Sequence, residues 1–210
     1  MDPTLFAGAI VILLFSVIVH EVMHGYMALK FGDHTAENAG RLTLNPIPHI
    51  DLIGSILVPL GLILLQSSVL FGWAKPVPVN PFNFKNIKKG ELFVSSAGIL
   101  ANLGLAIIAA LLFHVSSFFN VYVVSALLIV AIKINLALAF FNLIPIPPLD
   151  GSKVLASFLP TKMALSYMRL EQYGMIILML LLISPINIFG VLISLISHLF
   201  LTILGIPPYL

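Results

Sequence analysis

The 210-residue sequence contains no cysteine and very little charge. The absence of cysteine excludes a disulfide framework, a cysteine-based zinc finger and a thiol nucleophile. Charged residues make up 9% of the chain, whereas a soluble domain carries about 25%. The net charge of +2 gives no basic surface of the kind that binds nucleic acid. These absences exclude a disordered tail, a nucleic-acid-binding protein and an ordinary cytosolic enzyme.

The chain is instead strongly apolar, with 60% hydrophobic residues and a mean hydropathy of +1.13. Long apolar stretches cover residues 5–29, 91–115, 121–143 and 172–204. The last stretch contains Ser184-Pro185-Ile186-Asn187, which favours two short helices there. No cationic region precedes the first stretch, so we expect a retained helix rather than a signal peptide. The sequence predicts a single-domain, all-α polytopic membrane protein over residues 1–210, with about five to six transmembrane helices.

The most informative polar residues lie inside the first apolar stretch, in the sequence His20-Glu21-Val22-Met23-His24. Residues four apart share one face of a helix, so both imidazoles of this H-E-x-x-H motif can bind one metal ion. Glu21 then lies beside the metal, where it can take a proton from bound water. The alternative is that these residues pack between helices or line a pore, but unused ionisable groups are costly inside a membrane.

A catalytic zinc ion usually has three protein ligands and keeps one position for water. Asp150 is the best candidate for the third ligand, because it follows three prolines at the end of an apolar stretch. From the residues alone, a turn or a helix N-cap explains Asp150 equally well. His49 and Asp51 also have two interpretations: they contact a zinc-binding histidine, or they organise the turn that precedes residues 52–73.

These motifs resemble the site-2 protease family (peptidase family M50) of intramembrane zinc metalloproteases, in its compact bacterial and archaeal branch without PDZ or CBS domains. The resemblance covers about residues 15–160: H-E-x-x-H, then N-x-x-P-x-P-P-L-D-G from Asn142, and the stretches 40–54, 71–84 and 96–102. It implies that His20, His24 and Asp150 bind one Zn²⁺ ion per chain. It also implies that Glu21 is the general base and that Asn142 contacts the substrate near the metal.

Residues 52–73 pose a topological problem for such a site. The ligands must meet at one depth, so the spans before His24 and Asp150 run in the same direction. Residues 91–115 cross in the opposite direction, and residues 52–73 must therefore begin and end on one side. We expect a re-entrant hairpin there, which is allowed where irregular backbone is buried in protein.

The cationic residues support this arrangement. With residues 52–73 re-entrant, the loops 30–50, 74–90 and 151–170 share one face and carry every Lys and Arg except Lys133. The positive-inside rule makes that face cytoplasmic. Within the first of these loops, an alternating pattern predicts a short β segment near residues 40–45.

The resemblance implies an intramembrane zinc metalloendopeptidase that cleaves transmembrane segments of membrane proteins, in regulated intramembrane proteolysis. Its expected partners are a transmembrane protein substrate and the lipid bilayer, with no nucleic acid. We expect a multi-pass protein of the plasma membrane, with an active site open to the cytoplasm. The alternatives are a membrane metal transporter or channel, and an inactive family member that acts as a scaffold. Residues 91–130 offer few polar groups for a transport pathway, and the intact Glu21 disfavours a scaffold.

Overall fold

The structure is a computed structural model that describes residues 2–64, 73–183 and 188–206. Its α-helices are α1 (Pro3–Lys30), α2 (Thr35–Asn38), α3 (Val58–Leu64), α4 (Ile87–Phe118), α5 (Tyr122–Leu143), α6 (Asp150–Phe158), α7 (Thr161–Met168), α8 (Glu171–Ile183) and α9 (Ile188–Ile203). A π-helix covers Leu52–Leu57, and 3-10 turns cover Ile47–His49 and Pro81–Asn83. The described residues contain no strand.

Three of these helices, α1, α4 and α5, are long and apolar enough to cross a membrane. The prediction of a mostly helical membrane protein is thereby confirmed. The apolar helices α8 and α9 contain 13 and 16 residues and are shorter than these spans. The break predicted at residues 184–187 lies between them, outside the described residues.

Capping and proline residues set the ends of the long helices. The carboxylate of Asp2 accepts from the backbone N–H of Thr4 over 2.7 Å at the start of α1. The side chain of Asn86 accepts from Lys89 N over 3.0 Å at the start of α4. Helix α5 ends at Leu143, two residues before Pro145, which cannot continue a helix.

Helix α4 is the central element of the fold and packs against α1, α5 and α6. Its second half lies in a buried apolar cluster with α5 and the end of α9. The members of this cluster, called the apolar end below, are Ala106, Ala109, Ala110, Phe113, Ile129, Ile132, Leu136, Leu201 and Ile206. The first half of α4 faces α1 and α6 instead, and this half carries the polar residues discussed below.

The short β segment predicted near residues 40–45 is not confirmed. These residues form turns and bends. The backbone N–H of Arg41 donates to Ala36 O over 2.9 Å, which closes the end of α2 instead of pairing with a strand. The contact with a neighbouring segment is made by the Arg41 side chain, whose Nη2 donates to Lys75 O over 2.7 Å.

Residues 52–64 form the π-helix and α3, and residues 65–72 lie outside the described residues. The two ends of this segment meet. The backbone N–H of Trp73 donates to Gly54 O over 3.1 Å, and Ser55 Oγ donates to Trp73 O over 2.9 Å. A Cβ on Gly54 would lie 2.3 Å from the Trp73 ring, so only glycine allows this approach.

Asp33 joins the loops that surround this segment. It is fully buried, and its Oδ2 accepts from Asn80 N while its Oδ1 accepts from Asn83 Nδ2, both over 2.7 Å. Burial alone would raise the pKa of Asp33. The hydrogen bonds from Thr35, Asn80 and Asn83 outweigh it and hold this pKa below its ordinary value.

Candidate metal centre

Helices α1 and α6 bring three potential metal ligands together. His20 and His24 lie one turn apart on α1, with their Nε2 atoms 2.9 Å from each other. Asp150 is the first residue of α6, and its Oδ2 lies 3.1 Å from His20 Nε2 and 3.2 Å from His24 Nε2. All three side chains are buried. The structure thus brings together the three residues that we expected from the sequence to be zinc ligands.

The other ring nitrogen of each histidine has an oxygen partner on α4. His20 Nδ1 lies 2.6 Å from Asn102 Oδ1, and His24 Nδ1 lies 2.7 Å from the carbonyl oxygen of Val94. Both partners accept hydrogen bonds, so each Nδ1 carries the proton. Each Nε2 is then left with a lone pair that can bind a metal ion.

The donor set fits zinc. Two Nε2 lone pairs and a carboxylate oxygen face one another, and the buried Asp150 Oδ2 has no hydrogen-bond partner in the described residues. Such a group of acceptors is repulsive unless a cation lies between them. Tetrahedral zinc with bonds of 2.0–2.1 Å places its ligand atoms about 3.3 Å apart. The observed separations of 2.9, 3.1 and 3.2 Å come close to that value.

Gly98 of α4 makes room for this convergence. A Cβ at this position would lie 2.6 Å from His20 Nε2 and 2.6 Å from His24 Nε2. Any side chain at residue 98 would therefore occupy the space between the two imidazoles. The sequence pattern included Gly98 in a resemblance but did not indicate that it borders the metal centre.

Asn102 connects the metal centre to a buried polar network. Its Nδ2 donates to Asn135 Oδ1 over 2.9 Å, and Asn135 Nδ2 donates to Ser16 Oγ over 2.9 Å. Asn102 is 0% exposed and Asn135 is 2% exposed. The network spans α1, α4 and α5, so it fixes both the His20 ring and the relative register of the three helices.

The proteins that this chain resembles are named as zinc metalloproteases, which agrees with a metal centre at this site. Residues 114–185 match Peptidase family M50. The chain is 37% identical to YwhC of Bacillus subtilis, named as a candidate zinc metalloprotease, over 85% of this chain and 81% of YwhC. The chain belongs to peptidase family M50.

More distant relatives carry related names. Rip2 of Mycolicibacterium smegmatis, also named as a candidate zinc metalloprotease, is 29% identical over 82% of this chain and 65% of Rip2. Zinc metalloprotease MJ0392 of Methanocaldococcus jannaschii is 29% identical over 77% of this chain and 38% of that protein. No solved structure matches the chain. The M50 protein is therefore a zinc metalloprotease, a hydrolase of peptide bonds, in a membrane.

Glu21 of this M50 protein lies between the two histidines in sequence but has a different partner. Its Oε2 accepts a hydrogen bond from the backbone N–H of Val77 over 2.7 Å. The sequence did not predict this contact, because the two residues are 56 positions apart and no local spacing relates them. The other candidate side chain, Asn142, donates from its Nδ2 to Leu138 O over 3.0 Å, one turn earlier on α5. Among the described residues it makes no hydrogen bond to the three candidate ligands.

The contacts of Asp150, His49 and Asp51 bear on the two interpretations of each residue. Asp150 follows Leu149, the N-cap position of α6, and its carboxylate faces the histidines instead of capping the helix. His49 Nε2 donates to Thr43 O over 2.9 Å, and Asp51 Oδ1 accepts from Gly54 N over 2.6 Å. These two residues therefore organise the turn that leads into residues 52–73.

Proposed function

We propose that this zinc metalloprotease is an intramembrane endopeptidase that cleaves transmembrane segments of membrane proteins, in regulated intramembrane proteolysis. One observation carries the proposal: His20 and His24 lie inside α1, a helix long and apolar enough to cross a membrane, and Asp150 meets them there. His20 is ten residues before the end of α1 at Lys30, which is about 15 Å along the helix axis. We treat residues 1–210 as one domain that holds this site.

The candidate ligands are His20, His24 and Asp150. Zinc bound there would supply a water of lowered pKa and would polarise a peptide carbonyl. The Glu21 carboxylate takes the proton from the attacking water and passes it to the amine that leaves the cleaved bond. Asn142 binds the substrate beside the reacting bond.

The substrate class follows from where the site lies. A transmembrane helix satisfies its own backbone groups by hydrogen bonds, so its peptide bonds are shielded from attack. The substrate must therefore unwind locally before its carbonyl can reach the buried donor set. We expect helix-breaking residues near the cleaved bond to accelerate the reaction.

We also propose a multi-pass plasma-membrane location with the site open to the cytoplasm. The meeting of Gly54 with Trp73 supports a re-entrant segment, and Lys88 Nζ donates to Leu159 O over 2.8 Å, which joins two of the cationic loops. Since the chain has no cysteine, single cysteines at Asn45 and Lys85 can be labelled cleanly in intact cells and in inverted vesicles. We expect both to be labelled from the cytoplasmic face, and labelling from opposite faces would refute this topology.

The catalytic proposal is tested with a transmembrane peptide that carries a fluorophore, a quencher and a Gly-Pro break, reconstituted with the protein in proteoliposomes. The wild-type protein should cleave this peptide and contain one zinc ion per chain. Glu21→Gln should lose about a hundredfold or more of the cleavage rate, because it removes the proton acceptor, yet keep its zinc.

His24→Ala is the matched variant for metal binding. It should lose both zinc and cleavage, since it removes a ligand. Cleavage by Glu21→Gln at the wild-type rate would contradict the general-base role. An unchanged zinc content in His24→Ala would contradict the ligand assignment.

A further inference from the structure

The extended residues 74–80 lie against the H-E-x-x-H part of α1. The backbone N–H of Val77 donates to Glu21 Oε2 over 2.7 Å. The Val77 side chain is 7% exposed, and a Cβ on Gly25 would lie 2.8 Å from its Cγ1. The segment therefore touches α1 immediately after each candidate histidine, at Glu21 and at Gly25.

Buried groups hold this segment on both sides of Val77. Before it, Lys75 N donates to His49 O over 2.9 Å, and Lys75 O accepts from Arg41 Nη2 over 2.7 Å. After it, Asn80 N donates to Asp33 Oδ2 over 2.7 Å, and Asp33 is fully buried. The segment is thus an anchored part of the wall and not a free flap.

The sequence Pro76-Val77-Pro78 controls which group faces Glu21. Prolines have no backbone N–H, so Val77 supplies the only such donor among residues 76–78. A residue before a proline is held in an extended conformation, which fixes the direction of its N–H. The local sequence therefore presents a single, oriented donor to the carboxylate.

We propose that Val77 is a positioning residue for catalysis: its backbone N–H holds one carboxylate oxygen of Glu21, so that the other oxygen is left to take the proton. This inference rests on the proposed role of Glu21 as general base. A glutamate side chain has several rotatable bonds, and a charge-assisted hydrogen bond removes much of that freedom before the reaction. Orientation fixed in advance lowers the barrier of the proton-transfer step.

Val77→Pro tests the inference directly, because it deletes the N–H while a proline suits the extended backbone. In the proteoliposome assay with the Gly-Pro peptide, we expect kcat to fall tenfold or more, KM to stay within threefold and zinc content to stay at one per chain. Val79→Pro is the matched control, since the Val79 N–H makes no hydrogen bond among the described residues. It should keep kcat within twofold of wild type.

Two results would overturn the positioning role. An unchanged kcat in Val77→Pro would show that the N–H does not matter for the reaction. An increased kcat would show that the segment blocks Glu21 instead of orienting it. An inactive wild-type protein would overturn the proposed function together with this role, whereas an active wild type with an unimpaired Val77→Pro overturns the positioning role alone.

Hydrogen–deuterium exchange supplies a readout that does not need activity. Glu21→Ala removes the acceptor, so the Val77 amide should exchange at least tenfold faster than in wild type. Glu21→Gln keeps an acceptor oxygen and should retain most of the protection although its cleavage rate is expected to be about a hundredfold lower. The Val79 amide serves as the internal reference and should be unaffected. Equal exchange of the Val77 amide in all three proteins would overturn the inference.

Discussion

The two halves of α4 use burial for different purposes. The first half places Gly98 beside two imidazoles and directs Asn102 at His20. The second half contributes Ala106 and Phe113 to the apolar end. One continuous helix thus builds a chemical site at one end and a packed, apolar region at the other.

The physical reason for this difference is the membrane. Lipid is as apolar as leucine, so helices gain little from hydrophobic burial there and associate through shape, small residues and hydrogen bonds. The second half of α4 relies on shape, with alanines that allow close packing. Its buried serine, Ser116, bonds to Ser125 of α5 over 2.8 Å. The first half instead supplies oxygen partners from Asn102 and Val94 to the two histidine Nδ1 atoms.

The largest expected effect comes from adding one methyl group to the first half of α4, at Gly98. Gly98→Ala places a Cβ within 2.6 Å of both Nε2 atoms, so we expect loss of zinc and a more than hundredfold loss of cleavage. Zinc per chain and the peptide-cleavage rate measure this. The backbone of α4 would have to move away from α1 to restore the site.

Gly104→Ala is the matched control on the same helix, because a Cβ there has nothing within 4 Å. It should keep zinc and cleavage and raise stability by about 0.5–1 kcal/mol through helix propensity. Equal zinc loss in both variants would show that helix geometry, and not the space at residue 98, controls the metal centre.

A smaller effect is expected from the polar contacts of each half. Asn102→Ala removes the acceptor for His20 Nδ1, so the ring is no longer oriented, and we expect zinc affinity to fall about 10- to 100-fold. Competition with a fluorescent zinc chelator measures the dissociation constant. Thermal unfolding of the zinc-free protein should show a separate loss of stability, since Asn135 loses a partner as well.

Ser116→Ala provides the comparison at the opposite end of α4. It breaks the bond to Ser125 and should cost about 1 kcal/mol of stability or less, with no change in zinc affinity. Zinc affinity that is unchanged in Asn102→Ala would remove the proposed distinction between the two halves.

The sequence was most informative where the chemistry is local. The i, i+4 spacing of His20 and His24 places both imidazoles on one face of any helix, whatever surrounds it. The apolar stretches predicted α1, α4 and α5 to within a few residues, because hydropathy and proline positions act locally. Asp150 needed more: the residues alone left a cap as an equal alternative, and only the resemblance favoured a ligand. The roles of these residues in zinc binding stay predictions.

The β segment near residues 40–45 shows where local patterns fail. Alternation predicts a strand only if a partner is available, and the backbone of Arg41 bonds to α2 instead. Asp51 shows the opposite case, since its interpretation as a turn residue follows from nearby backbone and agrees with the structure. A local sequence pattern therefore predicts contacts between nearby residues better than it predicts pairing between distant segments.

By itself, the sequence determined that this is a helical membrane protein with a metal-binding motif inside a span, because composition and helical periodicity need no partner. Only the tertiary structure decided which atoms surround that motif: Asn102 and the Val94 carbonyl on the Nδ1 atoms, Gly98 beside the rings, and the Val77 N–H on Glu21. These contacts join residues 56 to 82 positions apart. Such contacts depend on how helices and an extended segment pack in three dimensions, which no local spacing specifies.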